Sequence, residues 1–390
     1  MRYREIPRTG HKLSALGLGT MRFKGRDNAV RTIRRCLELG VNYIESAAGY
    51  GWESPEENAD AWVGEAIKGW DREKVVISSK VQANCGDERP DNGLPVSTYD
   101  GTWQAIENSL ERIGTDYLDF YLLWSLGNDR MYEAACSGPL QAMRDAKEQG
   151  LVKHLGFTSH APNDKIIGWL QENPDMDFII VYYNFFSREL DEQGTYGPFE
   201  KAIAWAHEQG IGVGTMGSLY GGMLTGKSPA FASVLPDQPD TPLQEMAFRF
   251  LLSNPGITTC LSGLNDIEHV EEDVRIVSEL EPMTEAEREA FVEAFHGLTK
   301  GQKMCTGCNY CKECPEGLAT PWLMQFYQQH DVFDLPAVKD RIATMATMDR
   351  YNPDRCVECG QCEEKCPQQL PIIERIRRVR ELASEYRKAD

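Results

Sequence analysis

Eight cysteines in two short segments carry the clearest chemistry in this sequence. The first segment reads Cys305-Thr-Gly-Cys308-Asn-Tyr-Cys311-Lys-Glu-Cys314-Pro315, and the second Cys356-Val-Glu-Cys359-Gly-Gln-Cys362-Glu-Glu-Lys-Cys366-Pro367. Three cysteines at two-residue gaps wrap one [4Fe–4S] cubane, and a fourth followed by proline turns away to ligate the other cluster. On that logic one cluster uses Cys305, Cys308, Cys311 and Cys366, and the other uses Cys356, Cys359, Cys362 and Cys314. Two residues rather than three precede Cys314, so the spacing leaves open which cluster Cys314 closes. Structural zinc would need only four thiolates in tetrahedral array. The third cysteine at the same gap and the closing Cys-Pro in each segment favour iron–sulfur clusters instead. The other four of the twelve cysteines, Cys36, Cys85, Cys136 and Cys260, are scattered without ligand spacing and read as free thiols. Scattered plus clustered is not the pattern of a secreted disulfide scaffold.

The bulk numbers set the frame for these segments. The chain has 390 residues, more than one ordinary domain, and 41% are hydrophobic, enough for a sizeable core. Its formal net charge of −19 argues against nucleic acid or an anionic membrane surface as partner. No stretch approaches the ~20 apolar residues of a membrane span, and Met1-Arg-Tyr-Arg-Glu-Ile-Pro lacks the apolar run of a signal peptide. The expectation is a soluble, cytoplasmic protein of unknown oligomeric state.

The elements that must position the chemistry follow from periodicity. Strands are predicted at 13–19, 41–45, 75–80, 118–124, 154–158, 178–182, 211–215 and 259–263. Helical patterns lie between them at 29–39, 59–67, 103–113, 140–149, 163–170, 198–208 and 266–280. Repeated strand–helix units imply parallel strands with right-handed crossovers. About eight units in this length fit a (β/α)8 TIM barrel over residues 1–280. Thr284 and Glu287 form a capping box that opens a linker helix and turn over 281–304. Residues 305–390 hold the cysteine segments, with helices predicted at 319–329, 335–348 and 372–387. The long helical spacer between the segments resembles an α-helical ferredoxin-like domain.

Catalytic side chains of such barrels sit at the C-terminal ends of strands. Glu45, Lys80 and Trp124 fall there, and Tyr50 follows the second strand. A free tyrosine titrates near ~10 and is a sluggish acid at neutral pH. A nearby lysine ammonium would favour the phenolate and lower that value. The segments Gly17-Leu-Gly-Thr-Met21, Gly40-Val-Asn-Tyr-Ile-Glu-Ser-Ala-Ala-Gly-Tyr-Gly51, Ser79-Lys80, Asp119-Phe-Tyr-Leu-Leu123, Gly221-Gly-Met-Leu-Thr-Gly-Lys227 and Ser253-Asn-Pro-Gly256 resemble the aldo/keto reductase family, in order, over about residues 3–280. With the cysteine segments appended, the chain resembles the branch carrying a C-terminal ferredoxin-type domain. The resemblance implies Tyr50 as acid/base, Lys80 as its tuner and a carboxylate paired with the lysine. That carboxylate is Glu45, one methylene longer than the family's aspartate. The family's substrate-orienting histidine falls at Trp124, whose indole donates one hydrogen bond but cannot accept or titrate. Trp124 is therefore read as a pocket wall, with Trp52 and His160 as further pocket candidates.

The family-implied cofactor is NAD(P)H, and its site is thin. The segment Gly156-Phe-Thr158-Ser159-His160 occupies the place of the family's carboxamide-holding Ser-Asn pair, the family's glutamine falls at Ile180, and the stacking aromatic at Met216. The 2′-phosphate clamp reads Ser262-Gly-Leu-Asn-Asp-Ile-Glu-His-Val-Glu-Glu272, without lysine or arginine, so NADH is favoured over NADPH. Ser159, Gly221, Gly222, Ser262 and Glu272 remain as cofactor-contact candidates. The alternative is that the ferredoxin module replaces nicotinamide as electron source, fed by ferredoxin or another electron carrier. Polar loops over 82–101 and 125–138 are read as substrate lids. The basic helix at 372–387 is read either as a carrier dock or, more simply, as a solvated face. The functional expectation is an oxidoreductase that reduces or forms a carbonyl in a small organic substrate. Its rival is a barrel that has lost turnover and serves electron transfer or redox sensing.

Overall fold

Apolar runs too short for helices become strands buried on both faces, as parallel sheets require. The computed structural model describes residues 1–82, 97–127, 129–185, 200–222, 224–227, 240–299, 305, 310–335, 337–366 and 369–387. Cys85, Cys308 and the greater part of the loop over 82–101 lie outside them. Among the described residues ten strands form: β1 Tyr3–Glu5, β2 Lys12–Ser14, β3 Leu16–Gly19, β4 Tyr43–Glu45, β5 Val76–Gln82, β6 Leu118–Leu126, β7 Val152–Ser159, β8 Met176–Tyr182, β9 Gly212–Met216 and β10 Thr259–Ser262. Strands β3 to β10 close in sequence order into a parallel barrel, with β10 pairing β3.

The contacts divide the chain into two units, Met1–Ser218 with Phe248–Met283, and Leu219–Ala247 with Thr284–Asp390. In the first, the barrel core is built from Tyr43, Phe120, Leu122, Phe178 and Ile180. The predicted strand at 13–19 is in fact split. Lys12–Ser14 pairs antiparallel with Tyr3–Glu5, and only Leu16–Gly19 joins the barrel. The hairpin adds Ile6 and Leu13 to the core. Helices wrap the barrel through apolar stripes. In Arg26–Glu38 the buried face is Ala29, Ile33, Cys36 and Leu37, the spacing of one helical face. Helix Tyr99–Ile113 starts on a Thr98 cap and stops at Gly114 in the left-handed conformation. The segment 125–138 carries a helix, Asp129–Cys136, and another forms at Leu243–Ser253.

The second unit is helical among its described residues, with helices Glu285–Thr299, Thr320–Tyr327, Val338–Met345, Gln361–Glu364 and Ile372–Tyr386. The capping box is present: the Glu287 N–H donates to Thr284 Oγ1 at 3.2 Å, and the Thr284 N–H donates to Glu287 Oε2 at 2.7 Å. Helix Thr320–Tyr327 gives way to a π-helical turn over Gln328–Val332, a local widening frequent at functional sites. Helix Ile372–Tyr386 buries Ile372, Ile376, Val379, Leu382 and Ala383. Its arginines are largely tied to their own unit. Arg377 pairs with Glu358, Arg378 with Asp331 at 2.8 Å and Arg380 with Asp354 at 3.4 Å. Among the described residues no helix is long and apolar enough to cross a membrane.

Candidate active site and cluster cysteines

Strands β4, β5 and β6 bring three of the candidate side chains to the same end of the barrel. Glu45 closes β4, Lys80 lies near the end of β5, and Trp124 lies opposite Gln82 on β6. Tyr50 sits in the turn that leaves β4, where its N–H donates to Ala47 O at 3.0 Å and its carbonyl accepts from Ala59 N. Gly51 follows with φ +57°, and a Cβ there would come within 2.4 Å of the Trp62 ring. Only glycine combines that dihedral with that approach, so the turn is closed down onto Trp62 with Tyr50 fixed beside it.

The four side chains interlock. Lys80 and Glu45 are 4% and 6% exposed and form a contact ion pair. Lys80 Nζ lies over the Tyr50 ring, 4.5 Å from its centroid, and 5.7 Å from that of Trp124. The Tyr50 and Trp124 rings meet edge to face at 5.2 Å and 83°. Burial pushes the Tyr50 phenol well above its usual value, against a smaller downward pull from Arg22. Burial likewise pushes the Lys80 ammonium well down. The direction at Tyr50 is opposite to the sequence expectation, for a physical reason. Lys80 faces the ring rather than standing in the open, and Glu45 neutralises its charge, so desolvation dominates. The arrangement keeps a protonated phenol at the barrel mouth over a neutralised pair.

The remaining candidates have contacts of their own. Ser159 is fully buried; its hydroxyl donates to Leu126 O at 2.6 Å and accepts from Ala161 N at 3.0 Å. His160 stacks on Tyr182 at 5.4 Å. Trp52 lies under the Arg112 guanidinium at 4.9 Å, turned toward helix Tyr99–Ile113. Ser262 donates to Asp273 Oδ2 at 2.9 Å, and burial with Glu272 nearby pushes the Asp273 carboxyl up to about 7. Gly221 and Gly222, with φ +67° and +87°, belong to the second unit.

One supporting cluster is absent from the sequence reading. Asp60, fully buried on helix Ala59–Ala66, accepts from Ser46 Oγ at 2.6 Å, Ser79 Oγ at 3.0 Å and Ser109 Oγ at 2.8 Å. Burial raises its carboxyl while the three serines oppose that rise. Ser46 and Ser79 each adjoin a site residue, Glu45 and Lys80. Alternation along a strand sends neighbours to opposite faces. Asp60 therefore ties the outer faces of β4 and β5 together just where their inner faces carry the ion pair. The adjacency of serine to each site residue was the available signal.

In the second unit, Cys314, Cys356, Cys359 and Cys362 line one cavity, with Ile373 and Ile376 among its apolar walls. Left-handed residues at Glu358 and Gly360 curl the loop that carries the last three. Four cysteines on one cavity match the number of thiolates that a cubane takes; among the described residues no three of them are gathered as a metal-holding group. Burial, Glu363 and Cys356 push the Cys362 thiol up to about 11, so a cation in the cavity is what would hold it as thiolate. Cys311 is buried, and Cys305 and Cys366 are half-buried.

Comparison with known proteins gives this geometry its family. Residues 15–294 match the model of the aldo/keto reductase family. The chain belongs to that family. Residues 301–370 match a 4Fe-4S dicluster domain, so this aldo/keto reductase is an iron–sulfur oxidoreductase. It is similar to the uncharacterized oxidoreductase YqkF of Bacillus subtilis, 24% identical over 70% of this chain and 90% of that one. It is also similar to the L-galactose dehydrogenase of Arabidopsis thaliana, 24% identical over 76% and 96%. Among solved structures, the holo form of aldo-keto reductase AKR11C1 from Bacillus halodurans superposes with a TM-score of 0.62 at 24% identity, covering 75% of this chain and 96% of that one. An aldo-keto reductase from Klebsiella pneumoniae in complex with NADPH gives 0.59 at 20%, covering 75% and 95%. Both likenesses establish the fold.

The family's nicotinamide nucleotide fits these residues poorly. The Ser159 hydroxyl is committed to backbone, and the Ser262 hydroxyl to a buried carboxyl. Segment 262–272 offers no lysine or arginine to a phosphate.

Proposed function

We propose that this aldo/keto reductase interconverts a carbonyl and an alcohol in a small organic substrate, with Tyr50 handling the proton and electrons passing through two [4Fe–4S] clusters. The packing of Tyr50, Lys80, Glu45 and Trp124 at the barrel mouth is the observation that carries the proposal. Reducing a carbonyl takes two electrons and two protons, one proton going to oxygen and the other, drawn from water, to carbon. Tyr50 holds one proton at Oη, since burial favours the neutral phenol, and delivers it to the carbonyl oxygen. Lys80, held by Glu45 and lying over the ring face, fixes the position of Tyr50. Glu45 keeps the lysine's charge compensated inside the barrel wall. Trp124 narrows the pocket beside Tyr50 and offers one donor. Cys305, Cys308, Cys311 and Cys366 would hold one cluster and Cys314, Cys356, Cys359 and Cys362 the other. When bound, each cluster supplies one electron at a time. The electron source we favour is a one-electron carrier of ferredoxin type rather than nicotinamide, because the serines expected to hold the nucleotide are engaged elsewhere. If a nicotinamide serves, the acidic 262–272 segment favours NADH over NADPH.

The test uses reconstituted protein under anaerobic conditions, with chemically reduced clusters and a panel of aldehydes and ketones. Tyr50→Phe is expected to lower turnover roughly 10²–10⁴-fold at unchanged iron content. Unchanged turnover would remove Tyr50 from the chemistry. Mixing with NADH or NADPH is expected to leave cluster absorbance unbleached; bleaching by either would restore a nicotinamide source.

A further inference from the structure

The end of the barrel away from Tyr50 and Lys80 gathers charge around two histidines. His154 and Asp177 stand near the starts of β7 and β8, and His11 lies in the turn that joins β1 to β2. The His11 and His154 rings meet edge to face at 5.2 Å and 89°. Each also packs on Phe120, at 5.4 and 5.3 Å. The hairpin that carries His11 closes this end of the core. Its Ile6 and Leu13 are buried in one cluster with Phe120 and Phe178. Ile6 fills the space that a side chain at Gly212 would need, since a Cβ there would lie 2.6 Å from Ile6 Cδ1. The Ile6 N–H donates to His11 O at 2.9 Å, so the half-buried His11 is tied directly to the residue that plugs the floor.

The carboxylates beside the two histidines are already engaged. Asp119 accepts from the Ile77 N–H at 3.0 Å and pairs with Arg72 at 2.9 Å and Lys153 at 3.7 Å. Asp177 pairs with His154 Nδ1 at 2.9 Å and with Lys147 at 3.1 Å. Burial opposes the charge on Asp177, but hydrogen bonds with His154 and Lys147 hold its carboxyl below the usual value. On the hairpin itself Lys12 pairs with Glu5 at 3.7 Å, and Arg8 donates to the carbonyls of Gln209, Pro174 and Met176. The barrel strands and helices around His11 thus bring three cations, Arg72, Lys147 and Lys153, against two carboxylates. Burial pushes the His11 imidazole down; Asp119 opposes that fall, while His154, Lys153 and Arg72 add to it.

We propose that His11 is a proton-sensitive latch, which holds the β1–β2 hairpin against the barrel floor while neutral and releases it when protonated. A neutral imidazole packs on Phe120 and on the edge of His154 at little cost. An imidazolium in the same place loses water and meets a surplus of positive charge, and the carboxylates within reach are shared among other donors. Swinging the hairpin away from the floor returns His11 to solvent and relieves both penalties. The sign follows from linkage. A released His11 regains its ordinary value of 6.5, whereas the latched ring binds its proton only below that. The latched state is therefore fully favoured above about pH 6.5 and loses ground as pH falls below it. Opening is local, because the hairpin contributes two short strands outside the closed ring of eight.

The test is amide hydrogen exchange of the full-length, reconstituted protein between pH 8 and pH 5.5, corrected for intrinsic rates and read peptide by peptide. Peptides from β6 and β8 serve as the internal reference for the barrel. In wild type the hairpin's opening equilibrium is expected to be flat above pH 6.5. Below it, opening rises by up to about ten-fold per pH unit, the slope of one proton, while the reference peptides stay protected. His11→Phe keeps a ring against Phe120 and His154, and His11→Gln keeps a polar side chain; both are expected to abolish the rise. His154→Gln leaves the rise in place. Should both His11 variants leave the hairpin open at every pH, the imidazole signal of His11 in wild type decides by NMR: a midpoint below 6.5 supports the latch, and one at or above 6.5 overturns it. Hairpin opening that ignores pH, that persists in the His11 variants, or that comes only with loss of the reference peptides also overturns the inference.

Discussion

Tyr50 and Asp273 are acids of different kinds that burial treats alike. Each is pushed toward its neutral form, the phenol to stay a proton holder and the carboxyl up to about 7. Asp273 has a measurable consequence. Its folded value is raised above the unfolded 3.8, so the stability it contributes is fully present below about pH 4 and is lost as pH rises through 7. A shift of that size is worth up to about 4 kcal/mol. Asp273→Asn, with an amide oxygen still able to accept from Ser262, is expected to melt several degrees above wild type at pH 8 and level with it at pH 4. Parallel pH profiles for the two proteins would refute this. At this scale the sequence was partly legible. Tyr50, Lys80 and Glu45 could be found because strand ends are where barrel chemistry sits. Asp60 and Asp273 could not, because a carboxylate within a helical pattern reads as solvated until its burial is known. The Tyr50 shift was read in the wrong direction because a pairwise charge can be guessed from sequence, whereas desolvation needs the fold.

Among the elements, the long apolar strands were legible and the short or irregular pieces were not. Leu118–Leu126 and Met176–Tyr182 announce themselves as runs. Tyr3–Glu5 and Lys12–Ser14 are three residues each and mostly polar, and only their pairing makes them strands. The helix expected to reach Gln329 turns π-helical at Gln328, where the Gln328 side chain engages the backbone of Cys305. That contact lies 23 residues away in sequence and leaves no periodic mark. The Tyr50–Gly51 turn is the element on which the proposed chemistry depends most. Gly51→Ala imposes an unfavourable φ and drives a methyl into the Trp62 ring. The expected loss is about 2–5 kcal/mol, together with a fall in turnover, because the adjoining Tyr50 must move. Calorimetry and the reductase assay on one preparation check both. A variant that melts and turns over like wild type would show the turn to be looser than its geometry implies.

For the whole molecule, the distribution of cysteines had already separated a barrel from an iron–sulfur region, and the two family matches divide the chain in the same order. The point that spacing alone left open was Cys314, two residues rather than three beyond Cys311. It lines the cavity of Cys356, Cys359 and Cys362, as a ligand that leaves its own segment for the other cluster would. Iron counting in single and double variants tests the assignment without naming a substrate. Wild type is expected to hold about eight irons, and Cys314→Ala and Cys359→Ala each about four. If both serve one cluster, the Cys314→Ala/Cys359→Ala double variant loses no more iron than either single one. Cys314→Ala combined with Cys311→Ala empties both sites. The contrast is the double-mutant logic of shared against separate sites, and it compares variants with one another, so incomplete reconstitution affects every arm alike. A Cys314→Ala/Cys359→Ala protein that loses all its iron, beside a Cys314→Ala/Cys311→Ala protein that keeps half, would move Cys314 back to its own segment's cluster. The cavity would then be a three-cysteine site in need of a different fourth ligand.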